Sequence, residues 1–277
     1  MVNERNAAAY DPVERCRKFS GQKGLSDMDT ITFFANKGGS GRTVSTMALA
    51  SGFLAQGKRV AVMDCSDLAW CQVSPLRAWT KRMTRCGFCG QQLSLLECET
   101  SDEVEDAVAV AHATGIDILL IDTSARIYEP QAVALGMADM IVAPAIGPFE
   151  SKRIVAGISE YPQASETVFG LVIDYQNRAS QAAKTRKGFG YHSVLKSELP
   201  WAEALSEQIL HGDIPQLVSR LARRPGESGF ARYREAQAAL VSVQRLAFEV
   251  DWALKGHRLE PTTIGQSRNI DNVLAVV

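Results

Sequence analysis

A chain of 277 residues with 46% hydrophobic and 22% charged side chains has ordinary globular composition, which excludes a mainly disordered, collagenous or fibrous protein. Lys and Arg number 30 against 31 Asp and Glu, a net charge of −1, so the chain is not uniformly basic, and only a local basic patch remains open. The length suffices for one large α/β domain or two smaller ones.

Residues 1–27 are polar and mixed in charge and read as an extension. From Thr30 onward, short apolar runs alternate with helix-length amphipathic stretches. The runs cover 30–35, 59–64, 116–122, 140–144 and 168–174, each apolar on consecutive positions, as strands buried on both faces are. Helices are predicted over 43–56, 72–84, 101–113, 130–137, 149–159, 201–210, 214–224 and 230–254. Such alternation implies right-handed crossovers and a doubly wound, mainly parallel α/β sheet with helices on both faces. The expected domain covers 28–255, followed by a tail over 256–277. No run approaches the roughly 20 residues needed to span a bilayer, and the N-terminal sequence has no apolar signal core. A cytoplasmic protein with reduced thiols and no membrane partner is expected.

Residues 36–44 read Asn-Lys-Gly-Gly-Ser-Gly-Arg-Thr-Val, between a predicted strand and a predicted helix. Gly38, Gly39 and Gly41 let the backbone curl with its N–H groups inward, and the helix opening near Arg42 adds the positive end of its dipole. The result is an anion cradle. Thr43 sits where a phosphate-loop hydroxyl ligates Mg²⁺.

This loop resembles the deviant Walker A motif, Lys-Gly-Gly-x-Gly-Lys-Thr-Thr, of the ParA/MinD family of P-loop ATPases. The resemblance implies ATP and Mg²⁺ as ligands and a nucleotide-sandwich dimer in which Lys37 crosses to the partner's phosphates. Gly38, Gly39, Ser40, Gly41, Arg42, Thr43 and Val44 are then the nucleotide-binding loop. Two positions depart from the pattern, because Arg42 replaces the usual loop lysine and Val44 the second threonine. Arg keeps the charge but is longer, planar and forked.

Other segments extend the resemblance to about residues 30–250. Asp64-Cys65-Ser66-Asp67 matches the family's Asp-x-Asp, with Asp64 near the metal and Ser66 where a carboxylate handles the attacking water. A serine can hold that water but cannot accept its proton as a carboxylate does. Arg42 and Ser66 together imply weak or absent hydrolysis. Residues 118–124 resemble the Walker B strand, with Asp122 at its carboxyl end, and 138–144 resemble the Ala-Asp-x-Val-x-x-Pro strand. Asn177 lies where family members often carry an asparagine that contacts the base, Pro200 is expected as a further nucleotide-binding residue, and 205–215 resemble the Leu-Ser-Glu-x-x-x-x-Gly-x-Pro segment. The Pro-Leu-x-x-Trp element ending at Trp79 is similar to one in solitary ParA-like proteins of mobile elements, including conjugative ones, although Trp79 also reads as a packing residue.

Three features stay open. Cys86 and Cys89 form half of a zinc site, which Cys71 and Cys98 would have to complete. Plain structural thiols, with Cys65 and Cys71 buried, or a redox or cluster role are the alternatives. The family's non-specific DNA binding suggests Lys184, Arg186 and Lys187, and Arg220, Arg223 and Arg224, as phosphate contacts. Charge runs are also commonly solvated faces. Trp201 reads equally as a stacking residue for a base or partner and as a packed loop residue.

The resemblance thus implies an ATP-dependent dimer switch in plasmid partition, conjugative DNA transfer or cargo positioning. Its expected partners are DNA, which would give nucleoid association, and a ParB-like or relaxosome-like adaptor. A pseudo-ATPase scaffold and an ATP-dependent biosynthetic enzyme of the same wider fold are the alternatives.

Overall fold

The protein is described from a computed structural model, which covers residues 28–65, 74–88, 92–124, 129–161, 167–174, 179–223 and 227–257. Seven strands, β1 (Asp29–Phe33), β2 (Val60–Cys65), β3 (Leu93–Glu97), β4 (Ile118–Thr123), β5 (Met140–Ala145), β6 (Val168–Asp174) and β7 (Ser193–Pro200), form one sheet in the order β3-β2-β4-β1-β5-β6-β7. All six pairings are parallel. The helices are α1 (Arg42–Ala55), α2 (Pro75–Arg85), α3 (Ser101–Ala113), α4 (Glu129–Gly136), α5 (Pro148–Ile158), α6 (Ala179–Gly188), α7 (Glu203–Ser206), α8 (Gln208–His211), α9 (Ile214–Ala222) and α10 (Glu227–Leu254).

The doubly wound parallel sheet is the expected one. The central strands β2, β4 and β5 are buried at every residue, so both of their faces meet apolar layers. On one face Ile31, Phe33, Val60, Val62, Ile118 and Leu120 pack against α1, α2, α9 and α10. On the other, Ala61, Met63, Leu119 and Ile121 meet α3, while Ile141, Ala143 and Val168 meet α5. Trp79 is fully buried in the first layer, so it is the packing residue that its helical position suggests.

Local signals fix the helix ends. Ser74 caps α2 by accepting the Arg77 amide, with Pro75 in the first turn. Thr100 and Glu103 form a reciprocal capping box at α3. The 28-residue α10 lies against α1 so closely that a Cβ on Gly52 would meet the Ala247 methyl at 2.6 Å. The predicted helix over 201–210 proves to be two short helices, α7 and α8, broken at Glu207. β3, β7 and α6 are additional to the predicted elements. Among the described residues no helix is long and apolar enough to cross a membrane.

Because β1 lies between β4 and β5, the chain leaves it toward one edge of the sheet and later returns past it toward the other. This reversal opens a crevice outside the carboxyl ends of the central strands, where ligands of such sheets sit. The glycine loop after β1 opens into it.

Candidate functional site

The loop from β1 to α1 needs its glycines for two different reasons. Gly39 and Gly41 have φ of 72° and 85°, in the left-handed region that side chains disfavour. Gly41 also backs onto β6, where a Cβ would run into Ile173 Cδ1. No side chain caps the N-terminus of α1. The positive end of its dipole therefore faces the crevice with a glycine at the cap, an arrangement that suits an anion.

Asp122 lies at the end of β4 and pairs in register with both Phe33 of β1 and Asp64 of β2, which puts the two carboxylates side by side. The Thr43 hydroxyl donates to Asp122 Oδ2 at 2.5 Å. Oδ1 of Asp122 is buried and has no hydrogen-bond partner among the described residues. Burial raises the Asp122 pKa to about 6, against the lowering effects of the Arg42 charge and the Thr43 bond, and Asp64 adds to the rise. An acceptor oxygen buried without a partner beside a Thr hydroxyl and a second carboxylate is a donor set that a hard divalent cation fits. Asp64 is itself buried and accepts the hydroxyl of Ser74, so the cap of α2 also orients this carboxylate.

Arg42 does not lie free in the cradle. Its Nη1 donates to the Thr123 carbonyl oxygen at 2.5 Å and approaches Thr123 Oγ1 at 3.3 Å. Thr123 Oγ1 in turn donates to the Phe33 carbonyl at 2.7 Å, tying β4 to β1 beneath the loop. Burial lowers the Arg42 pKa while the Asp122 charge raises it. Lys37, expected to act across a dimer, forms an ion pair with Glu150 in the first turn of α5, and Glu150 Oε2 accepts the Ile146 amide at 2.7 Å. The roles of Thr123, Ser74 and Glu150 escaped the sequence reading. The signal for Glu150 was a carboxylate in the first turn after Gly-Pro, which motif spacing does not connect to Lys37.

A cleft of about 260 Å³ runs from the loop residues Gly39, Ser40, Gly41, Arg42, Thr43 and Val44 to Pro200 and Trp201 at the end of β7. Pro200 lines this cleft. Gly38 is an exposed part of the loop. Ser66 and Asn177 lie outside the described residues, as do Asp67, Cys71, Cys89 and Arg224.

The two basic clusters are not brought together. α6, carrying Lys184, Arg186 and Lys187, packs with α5 on one face of the sheet, while α9, carrying Arg220, packs with α10 on the other. Lys184, Lys187 and Arg223 are exposed. Arg186 instead fastens α6 to β7, donating to the carbonyls of Leu195 and Lys196 and pairing with Glu198. Arg220 is spent on His211, through its ring Nδ1 at 2.7 Å and its carbonyl at 3.2 Å.

Among the described residues no group of three or more His, Cys, Asp or Glu side chains is placed to hold a metal ion. Cys98 cannot complete a zinc set with Cys86. It packs with Cys65 under α3, whereas Cys86 ends α2 on the opposite face beside the His211 carbonyl. The hydrogen bond with Cys98, reinforced by burial, pushes the Cys65 thiol well above its usual range, while the same bond lowers that of Cys98.

Four likenesses bear on this arrangement. The VirC1 protein family model matches residues 28–153, which include the glycine loop, Asp64 and Asp122. Protein virC1 of Rhizobium rhizogenes is 26% identical over 117 residues, which are 42% of this chain and 48% of that one. The chain thus spans about half the length of the curated relatives it matches. The septum site-determining protein MinD from Pyrococcus horikoshii, solved with Mg-ADP, superposes with a TM-score of 0.56 at 15% identity, over 81% of this chain and 96% of that one. A ParA family ATPase from Chlorobium tepidum gives 0.52 at 15%, over 79% and 98%. At such identity these two structures speak to the fold. Loop motif, strand order and these likenesses agree that the chain has the fold of the ParA/MinD-type proteins and is similar to the VirC1 family over residues 28–153.

Proposed function

We propose that the chain is a nucleotide-dependent switch that binds ATP with Mg²⁺, dimerises face to face and acts in plasmid partition or conjugative DNA transfer. The observation that carries this reading is the Thr43–Asp122 hydrogen bond, with its unpartnered Asp122 Oδ1, beneath the glycine loop. Thr43, Asp122 and Asp64 would hold the cation, which would supply charge neutralisation to the phosphates when bound. The loop amides and the start of α1 hold the phosphates. Lys37 leaves Glu150 and reaches the partner's nucleotide, coupling binding to dimerisation. Lys184, Lys187 and Arg223 supply sequence-independent phosphate contacts, which makes DNA affinity steeply salt-dependent. The VirC1 likeness and the ParA-type fold support a role in handling plasmid DNA together with a cargo adaptor.

Titration of the full chain with a fluorescent ATP analogue tests the first step, and sedimentation with ATP and Mg²⁺ tests the second. Binding without any change in mass would remove the dimer switch. A second reading has its own support. Arg42 is engaged by Thr123, and Ser66 stands where the family has a carboxylate, a combination that favours a pseudo-ATPase scaffold that holds nucleotide without turning it over.

A further inference from the structure

Another cleft, of about 900 Å³, lies where the carboxyl end of α1 and the residues just past α2 meet α9 and α10. The glycine loop opens at the other end of the 14-residue α1, so about 20 Å of helix separates the two clefts. Leu54, Phe88 and Leu240 are apolar parts of the described lining. Gln216, Arg220 and Arg223 follow at helical spacings of four and three, which puts them on one face of α9, the face that lines the cleft. Gly212, with φ 95°, marks its buried end, because a Cβ there would run into Gln216 Oε1 and lie 3.3 Å from Cys86 Sγ. That amide oxygen is buried and has no hydrogen-bond partner among the described residues. A buried acceptor left unpaired is costly, and an N–H or O–H from a ligand relieves it. The buried Asp213 carboxyl also lines the cleft, so this end suits a donor and not an acid group. Cations stand farther along the same face. Arg223 is exposed, and Arg220 keeps its charge while held by the ring and carbonyl of His211.

We propose that this cleft is a second ligand site, separate from the nucleotide cleft, for a small organic anion with an apolar ring body and an N–H or O–H donor. The donor meets Gln216 Oε1, the body lies against Leu54, Phe88 and Leu240, and the acid group faces Arg220 and Arg223. Apolar walls with a few placed polar groups are the usual make-up of a small-molecule site, and the volume is ample for one. The exposed arginine gives the anion its direction more than its affinity. Occupation of the site needs neither ATP nor a dimer, and it shares only Arg223 with the DNA contacts proposed above.

Two fluorescent probes test the site. Anilinonaphthalene sulfonate has the ring body, the N–H and an acid group, and phenylnaphthylamine lacks only the sulfonate. Titrated into the full chain, the sulfonate is expected to saturate at micromolar concentration, to bind about tenfold more tightly than the neutral amine, and to resist displacement by ATP with Mg²⁺. It should also slow the alkylation of Cys86 by iodoacetamide, followed by peptide mass. Arg223→Gln should weaken the sulfonate by about two- to fivefold and leave the amine unchanged. Gln216→Leu removes the acceptor but not the bulk, and should weaken both probes alike by about three- to tenfold. Ser219→Phe fills the cleft from an exposed position and should weaken both by about tenfold or more, with the unfolding midpoint unchanged. Equal affinity for the two probes, saturation only at millimolar concentration, displacement by ATP with Mg²⁺, an unprotected Cys86, or wild-type binding by Ser219→Phe each overturns the site. Neither probe requires nucleotide, so that failure would leave the nucleotide switch standing.

Discussion

Arg42 Nη1 donates to the main-chain oxygen of Thr123 at 2.5 Å, across the carboxyl end of β4 and next to the carboxylate of Asp122. A lysine at this position carries a compact charge on a flexible stem, whereas the guanidinium is a planar fork that the Thr123 carbonyl already occupies. The phosphate loop therefore keeps its positive charge but aims it at the strand end. Replacing Arg42 with Lys and Ser66 with Asp together is expected to raise ATP turnover by about 10- to 100-fold with little change in nucleotide affinity. Steady-state phosphate release measures this, and unchanged turnover would mean that these two positions do not set the rate.

Glu150 holds Lys37 within its own chain, so dimerisation through Lys37 must first break this pair. Glu150→Gln keeps an acceptor for the Ile146 amide but releases the lysine. With ATP and Mg²⁺ present, the protein concentration at half-dimer should fall by about two- to fivefold, the scale of a half-exposed ion pair. Lys37→Ala should bind ATP and stay monomeric. Sedimentation velocity reads both, and an ATP-dependent dimer formed by Lys37→Ala would contradict the role.

Among the described residues, the α6 cluster divides into one structural cation, Arg186, and two exposed ones, Lys184 and Lys187. Arg186→Ala removes donors from the carbonyls of Leu195 and Lys196 and from Glu198, and should cost about 1–3 kcal/mol in urea unfolding. Replacing Lys184 and Lys187 together with Ala should leave stability within about 0.5 kcal/mol. It should also weaken binding to mixed-sequence duplex DNA and flatten its salt dependence. DNA binding unchanged by the double lysine replacement would remove α6 from the DNA-binding surface.

Asp213 caps α9 by accepting the Gln216 amide at 2.9 Å, and burial raises its pKa from 3.8 to about 6. Between those values the folded state keeps a proton that the unfolded chain has released. Stability therefore falls as pH rises from about 4 to 6, by up to about 3 kcal/mol. Asparagine caps equally well and carries no charge. The stability of Asp213→Asn relative to wild type should thus increase across that window and level off above it. Unfolding at pH 4, 5, 6 and 7 measures the difference, and a gap that does not vary with pH would contradict the assignment.

The legible part of the sequence is the part where one residue type answers to one constraint. β2, β4, β5 and the core of β6 are buried on both faces, so their apolar runs announce them, and Gly39, Gly41, Thr43 and Asp122 sit in a loop-and-strand motif whose spacing is chemical. β3 and β7 are edge strands with exposed and half-exposed positions, such as Glu97, which pairs with Arg77, and Lys196. Their sequences alternate weakly and resemble loops. α6 buries Ala182 and Thr185 beneath an otherwise polar surface, so its periodicity is faint. The partners of charged groups were hidden for a different reason. Nothing in a linear run distinguishes Arg186, whose donors meet carbonyls on β7, from Lys187 in solvent, and the Lys37–Glu150 pair spans more than a hundred residues.

The central claim is that the glycine loop, Thr43 and Asp122 hold a nucleoside triphosphate together with a divalent cation. Titration of the purified chain with a fluorescent ATP analogue, with and without Mg²⁺, tests it most directly. Saturable binding that is strengthened by Mg²⁺ and loses that strengthening in Asp122→Asn is the expected result. No binding at millimolar nucleotide, or binding indifferent to Mg²⁺, would contradict the claim and leave a scaffold that retains the ATPase fold without its ligand.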